Sequence, residues 1–169
     1  MAAIMGPPPK MNYVPGHSLP ELALLELYCL YQEQPSLAEK LGVSVQPRHY
    51  LDLAKFWIDY RGNHQDRETT GSYNQDDKPV LEQTKIVGHS VRAGLLASGV
   101  AALAAVTERS DYSEAMQRWW SNMVEARMYL TGGLGAIASY EGFGDDFELP
   151  NTGYAETCAA VAEAFLALR

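Results

Sequence analysis

No stretch of the sequence gathers positive charge. Lys and Arg total 13 against 21 Asp and Glu, the formal charge is −8, and the basic residues stand singly. That balance argues against a nucleic-acid backbone or an anionic membrane surface as the main partner. Cysteine is scarce: Cys29 and Cys158 are the only two. Two are too few for a disulfide framework, so free thiols in a reducing compartment are expected. No apolar run reaches the ~18 to 20 residues that cross a bilayer. The opening MAAIMGPPPKMNYVPGH has no basic stretch followed by an apolar one, so no secretory signal is read and a cytoplasmic location is expected. Walker, CxxC and HExxH patterns are missing, and the glycines of TGGLGA follow a helical pattern rather than a strand, which excludes a dinucleotide fingerprint. No segment alternates with period two.

What remains is helical. The 169 residues, 47% apolar, suffice for one folded domain. Residues 1–16, rich in Pro and Gly, form an irregular lead-in, and residues 17–169 form the helical unit. ELALLELYCLY places Leu22, Leu25, Cys29 and Leu30 at helical spacing, with Ser18 or Pro20 near its start. HYLDLAKFWIDYRG sets Leu51, Ala54 and Ile58 on one face, with Gly62 as a stop. The polar run from Asn63 to Lys78 reads as a long loop, a length often functional. Val80 to Val106 reads as one helix, or two broken near Gly88; its small residues predict close helix–helix packing. Ser110-Asp111 should cap the next helix, which runs from Tyr112 to Leu130, and TGYAETCAAVAEAFLALR forms the last. That last helix stays apolar to Arg169 with no Gly or Pro stop, so the chain is expected to continue. Recurrent helical hairpins pack as an open solenoid or a closed α/α barrel, and periodicity leaves both open.

Three places carry candidate chemistry. Glu156 and Cys158 fall at a helix start, where the dipole favours anions and a thiol is activated by a cation or metal. On these two alone, a buried cysteine beside a first-turn acid is the commoner arrangement. Glu141 stands in a loop of glycines, aromatics and acids, and one of two carboxyl groups flanking a glycosidic bond acts as the acid. Burial against Phe143 or Tyr140 would raise its pKa as that role requires. His17 and His89 offer hydrogen bonds to a sugar hydroxyl, with His89 placed inside a helix.

Taken in order, GHSLPELALLELY, YLDLAKFWIDYRG, QDDKPVLEQTKIVGHSVRAGLL, RWWSNMVEARMYLTGGLGA, EGFGDDFELPN and YAETCAA resemble glycoside hydrolase family 127, the β-L-arabinofuranosidase-like enzymes. The resemblance implies an all-α fold, part of an (α/α)6 barrel (toroid) built from helical hairpins. It implies a carbohydrate substrate and retaining release of terminal L-arabinofuranosyl residues through a zinc-bound cysteine thiolate. The zinc would be held by one glutamate and three cysteines. Carried over, Glu156 and Cys158 match two zinc ligands, Glu141 the acid/base, and His17 and His89 histidines of the sugar pocket. The family's adjacent cysteine pair, which includes the nucleophile, has no counterpart in these residues. Asp77 stands where a histidine is expected, PSLAEKLGVSVQPRH reads as an insertion, and the segment before the ETC triplet is one residue short. The expected behaviour is that of a barrel portion, truncated at both ends and inactive alone, that self-associates through exposed faces. A related L-arabinosidase specificity, or a helical-repeat scaffold without chemistry, are the rival readings.

Overall fold

The computed structural model describes residues 3–169; Met1 and Ala2 of the lead-in lie outside the described residues. Six α-helices form: α1 Pro20–Glu33, α2 Leu37–Lys40, α3 Pro47–Asp59, α4 Ser90–Thr107, α5 Ser110–Asn122 and α6 Thr157–Ala167. Pro20 and Pro47 stand in the first helical turn, where a missing N–H costs nothing and the fixed φ helps. Among the described residues, β-pairing is confined to isolated bridges. The chain is thus all-α, as its periodicity predicts.

The central element is α4, which packs on α1, α5 and α6, while α1 lies along α3. The expected small-residue packing is observed. A Cβ on Gly94 would sit 2.9 Å from the Cβ of Ala162, and the Ser98 hydroxyl donates to the Gly94 carbonyl at 2.8 Å. No apolar run of spanning length was anticipated, yet α4 has both the length and the apolar character for one. With 72% of it buried against neighbouring helices, its apolarity is that of a core element. Its own Leu96 and Leu103 and, around it, Ile58, Tyr112, Trp119 and Met123 are fully enclosed, and the Trp119 indole N–H donates to the Gln83 carbonyl at 3.2 Å. Leu22, Leu25, Leu51, Ala54 and Ile58 are buried as their spacing predicts. Cys29 and Leu30 are only half-buried.

Several boundaries differ from the sequence reading, each because a tertiary contact overrides local preference. Gly88 adopts φ +77°, and a Cβ there would lie 2.1 Å from the Ser72 carbonyl oxygen. Of the two alternatives the chain takes the break at Gly88, and what differs is that the segment before it holds only a 3-10 turn, Val80–Glu82, in place of a helix. His89 becomes the N-cap of α4 rather than a helix-interior residue. Ser110 opens α5 without capping it; the cap position is Arg109, whose guanidinium pairs with Asp111. That helix stops at Asn122 and continues as a π turn, Met123–Arg127, because Arg127 is drawn to Asp146 at 2.9 Å and to the Gly144 carbonyl at 2.8 Å. The last helix begins at Thr157, not at Thr152. Before it, Tyr154 N–H and Ala155 N–H donate to the carbonyls of Ala136 and Gly135 at 3.3 and 2.8 Å, and Ala155 stands at φ +43°, which keeps the segment out of the helix.

The lead-in and the long loop are fixed by buried ionic centres. Arg61 and Glu21, both with no side-chain exposure, pair at 2.9 Å. Arg61 also donates to the carbonyls of Pro15 at 2.8 Å and Asn74 at 2.6 Å, joining lead-in, α1, α3 and loop. In the loop, Asp76 accepts from Gly62 N–H (2.8 Å), Thr70 N–H (2.9 Å) and both Arg67 guanidinium nitrogens (2.7 and 2.6 Å). Asp77, its neighbour, is exposed.

Candidate active site

Glu141 ends a 3-10 turn, Ala138–Tyr140, in the left-handed conformation with φ +55°. Paired bonds between Ile137 and Gly142, at 3.0 and 3.1 Å, close the turn around it, and Phe143 N–H donates to the Gly88 carbonyl at 3.0 Å. The Glu141 carbonyl accepts from Ser90 N–H at 3.1 Å and from the Ser90 hydroxyl at 3.0 Å. The loop is thereby bolted to the first residue of α4, which brings Glu141 beside His89.

His89 is a buried ring with a defined tautomer. Its Nδ1 accepts from Val91 N–H at 3.2 Å, so the ring proton resides on Nε2, which donates to Glu141 Oε2 at 3.1 Å. The His89 side chain is 7% exposed and the Glu141 side chain 44%: one is a fixed support, the other an accessible carboxylate. Its main contacts are polar, not the apolar burial expected of Phe143 or Tyr140. Phe143 is buried in the core, and the Tyr140 hydroxyl donates to the Phe143 carbonyl.

The other oxygen of Glu141 leads to the ETC segment. The Tyr154 hydroxyl lies 3.0 Å from Glu141 Oε1 and 3.1 Å from Glu156 Oε2. Hydrogen bonding to these two carboxylates pushes the Tyr154 phenol up to about 12. Glu156 is the N-cap of α6, with its side chain turned to Tyr154 instead of capping the helix. Cys158 is exposed in the first turn; among the described residues its thiol makes no hydrogen bond to this cluster. Cys29 is a separate half-buried thiol, its pKa raised by burial and by Glu26 and Glu33.

His17 lies exposed before α1, its ring 6.3 Å from that of His89 at an edge-on 67°. Tyr73 approaches the same ring at 5.4 Å, and its carbonyl accepts the His89 N–H at 3.1 Å. The long polar loop thus contributes a wall to the site. Tyr154 and Tyr73 were not singled out from the sequence, although Tyr154 opens the YAETCAA segment and an aromatic two residues before a candidate ligand was a readable signal.

Four of the five expected residues, Glu141, His89, His17 and Glu156, are linked through these contacts; Cys158 is not. A tetrahedral zinc centre needs four donors. Among the described residues, no third His, Cys, Asp or Glu gathers with Glu156 and Cys158. The residues present therefore do not by themselves fit a zinc centre. A cavity of about 720 Å³ lies elsewhere, between α4, α5 and the end of α6, against Ala104, Met116, Trp120 and Leu166.

Comparison with known proteins gives the family and the fold. The family model described as beta-L-arabinofuranosidase, GH127 catalytic domain, matches residues 3–169. A non-reducing end beta-L-arabinofuranosidase of Bifidobacterium longum subsp. longum is 33% identical over 177 residues, covering 94% of this chain and 25% of the relative. A solved GH127 beta-arabinofuranosidase superposes with TM-score 0.82 at 39% identity, over 98% of this chain and 24% of the other. A GH127 beta-L-arabinofuranosidase from Geobacillus stearothermophilus T6 gives TM-score 0.83 at 33% identity, over 99% and 27%. The chain spans about a quarter of the length of the relatives it matches. Its helical pairs are an arc of the (α/α)6 toroid.

Proposed function

The chain belongs to the GH127 β-L-arabinofuranosidase family, and we propose that it is part of the catalytic domain of a retaining hydrolase that releases terminal L-arabinofuranosyl residues. One observation supports this above the others: an accessible carboxylate, Glu141, is gripped on one oxygen by the Nε2–H of His89 and on the other by the hydroxyl of Tyr154. A general acid/base must be both reachable and oriented. In this reading Glu141 protonates the departing glycosidic oxygen and later takes a proton from water. His89 and His17 line the sugar-binding side.

Glu156 and Cys158 are proposed as two donors toward zinc, the metal the family resemblance implies. Since the residues present complete no such centre and Cys29 lies in another segment, these 169 residues are proposed to be inactive alone. Two measurements test the proposal. Incubated with an aryl β-L-arabinofuranoside, the chain should release no L-arabinose at enzyme-like rates; release would overturn the incompleteness. Titrated with a methyl β-L-arabinofuranoside, it should show movement of the His89 and His17 ring signals in NMR spectra; fixed signals would overturn the pocket assignment. The isolation of the Cys158 thiol is the one observation that favours the rival scaffold reading, and movement of the histidine signals in the second measurement would count against that reading.

A further inference from the structure

We propose that Tyr154 is a positioning residue that couples Glu141 to Glu156, its one phenolic proton serving two carboxylates in alternation. The hydroxyl lies 3.0 Å from Glu141 Oε1 and 3.1 Å from Glu156 Oε2, and a phenol has one proton to donate. Whatever engages Glu156 therefore decides how fully Tyr154 donates to Glu141.

The surroundings make the arrangement specific. Tyr154 cannot drift, because its own N–H and that of Ala155 bind the Ala136 and Gly135 carbonyls. Those residues lead directly into the turn that carries Glu141. Glu141 is fixed at its backbone by Ser90 and at Oε2 by His89, so the Tyr154 bond to Oε1 is the remaining constraint on the carboxyl plane. Without it the carboxylate is pinned at one oxygen and turns about its terminal torsion, which is broad and soft. The mechanistic meaning rests on Glu141 being the acid/base; the coupling itself does not.

The test uses the 169-residue chain with 13C-labelled glutamate carboxyls at constant neutral pH. Tyr154→Phe should displace the carboxyl signals of both Glu141 and Glu156 and leave that of buried Glu21 in place, with an unchanged far-UV circular dichroism spectrum. Glu156→Gln should displace the Glu141 signal in the opposite direction, because the glutamine amide donates to the phenol oxygen and frees its proton wholly for Glu141. Movement in opposite directions supports the coupling. An immobile Glu141 signal in either variant, or displacement in the same direction in both, overturns it. Should Tyr154→Phe lose helical content, Glu156→Gln alone decides by whether the Glu141 signal moves. Failure of the glycosidase reading would show as fixed histidine signals in the sugar titration, a separate observation.

Discussion

Replacing Asp76 with alanine should remove a large share of the stability of this fold. The carboxylate is wholly buried and faces Arg67, whose side chain is 3% exposed. Burial opposes its ionisation, yet the Arg67 guanidinium and the N–H groups of Gly62 and Thr70 outweigh this and hold it down at about 2, against an ordinary 3.8. That interval corresponds to about 2 kcal/mol of native-state stabilisation. Because the folded value is depressed, the contribution is fully present above pH 3.8 and is lost as the pH falls through about 2. Truncation costs more than this linkage term, because Arg67 is left buried with an unpaired charge, a loss of roughly 3–5 kcal/mol. Against a total of about 5–15 kcal/mol for an ordinary domain, Asp76→Ala should sharply lower the urea midpoint at pH 7 without changing the slope. Asp76→Asn, which retains an acceptor, should lose less. Hydrogen exchange at Gly62 and Thr70 should accelerate first, since their amides bind the carboxylate directly. A midpoint for Asp76→Ala that implies less than about 0.5 kcal/mol of loss would place it among neutral surface substitutions and refute the reasoning.

Gly88→Ala meets both a left-handed φ and the Ser72 carbonyl at 2.1 Å; it should cost on the order of 1–3 kcal/mol and displace the His89 ring signals, and a variant with parental thermal midpoint and histidine spectra would contradict the account of that turn. Val161 and Phe165 on α6 and Leu168 at its C-cap, exposed at 49, 40 and 82%, form a stripe opposite the face packed on α4, a patch of the kind that drives association. Light scattering should show self-association that Phe165→Glu reduces; a monomer at every concentration would count against it.

How far the sequence could be read depended on how local each cause is. The core faces of α1 and α3 and the close packing of α4 follow from spacing and residue size within one segment, whereas the close approach of Ser72 decides between one helix and a break near Gly88. The late start of α6 does not, because the bonds that keep Tyr154 and Ala155 out of the helix reach back to Ala136 and Gly135. The π turn after Asn122 depends on Asp146, a carboxylate that Lys85, Asn122 and Arg127 hold well below the usual range. The burial of Glu21 has no local cause either, because its partner Arg61 lies just past the end of another helix. At the site, motif resemblance singled out Glu141, His89 and Glu156; the phenol between two of them stands in the YAETCAA segment, but its bond to Glu141 in the preceding loop and the exposure of Cys158 follow from no local pattern.

The local costs of the site bear on whether it is a site at all. A non-glycine residue held at φ +55°, as Glu141 is, stores strain of order 1–3 kcal/mol that the surroundings must overcome. Two carboxylates drawn to one hydroxyl bring like charges together, which is unfavourable by itself. Burying His89 with both nitrogens committed fixes a ring whose polar edge points at one of those carboxylates. A helical scaffold needs none of these: the core packing around α4 would be unchanged with a glycine in place of Glu141 and a phenylalanine in place of Tyr154. Local cost with no gain in packing is what a reactive carboxylate requires, oriented yet open to solvent. Conformation and charge at Glu141 thus favour a carboxylate held for chemistry over one held for packing, and the family match alone ties that chemistry to glycosides.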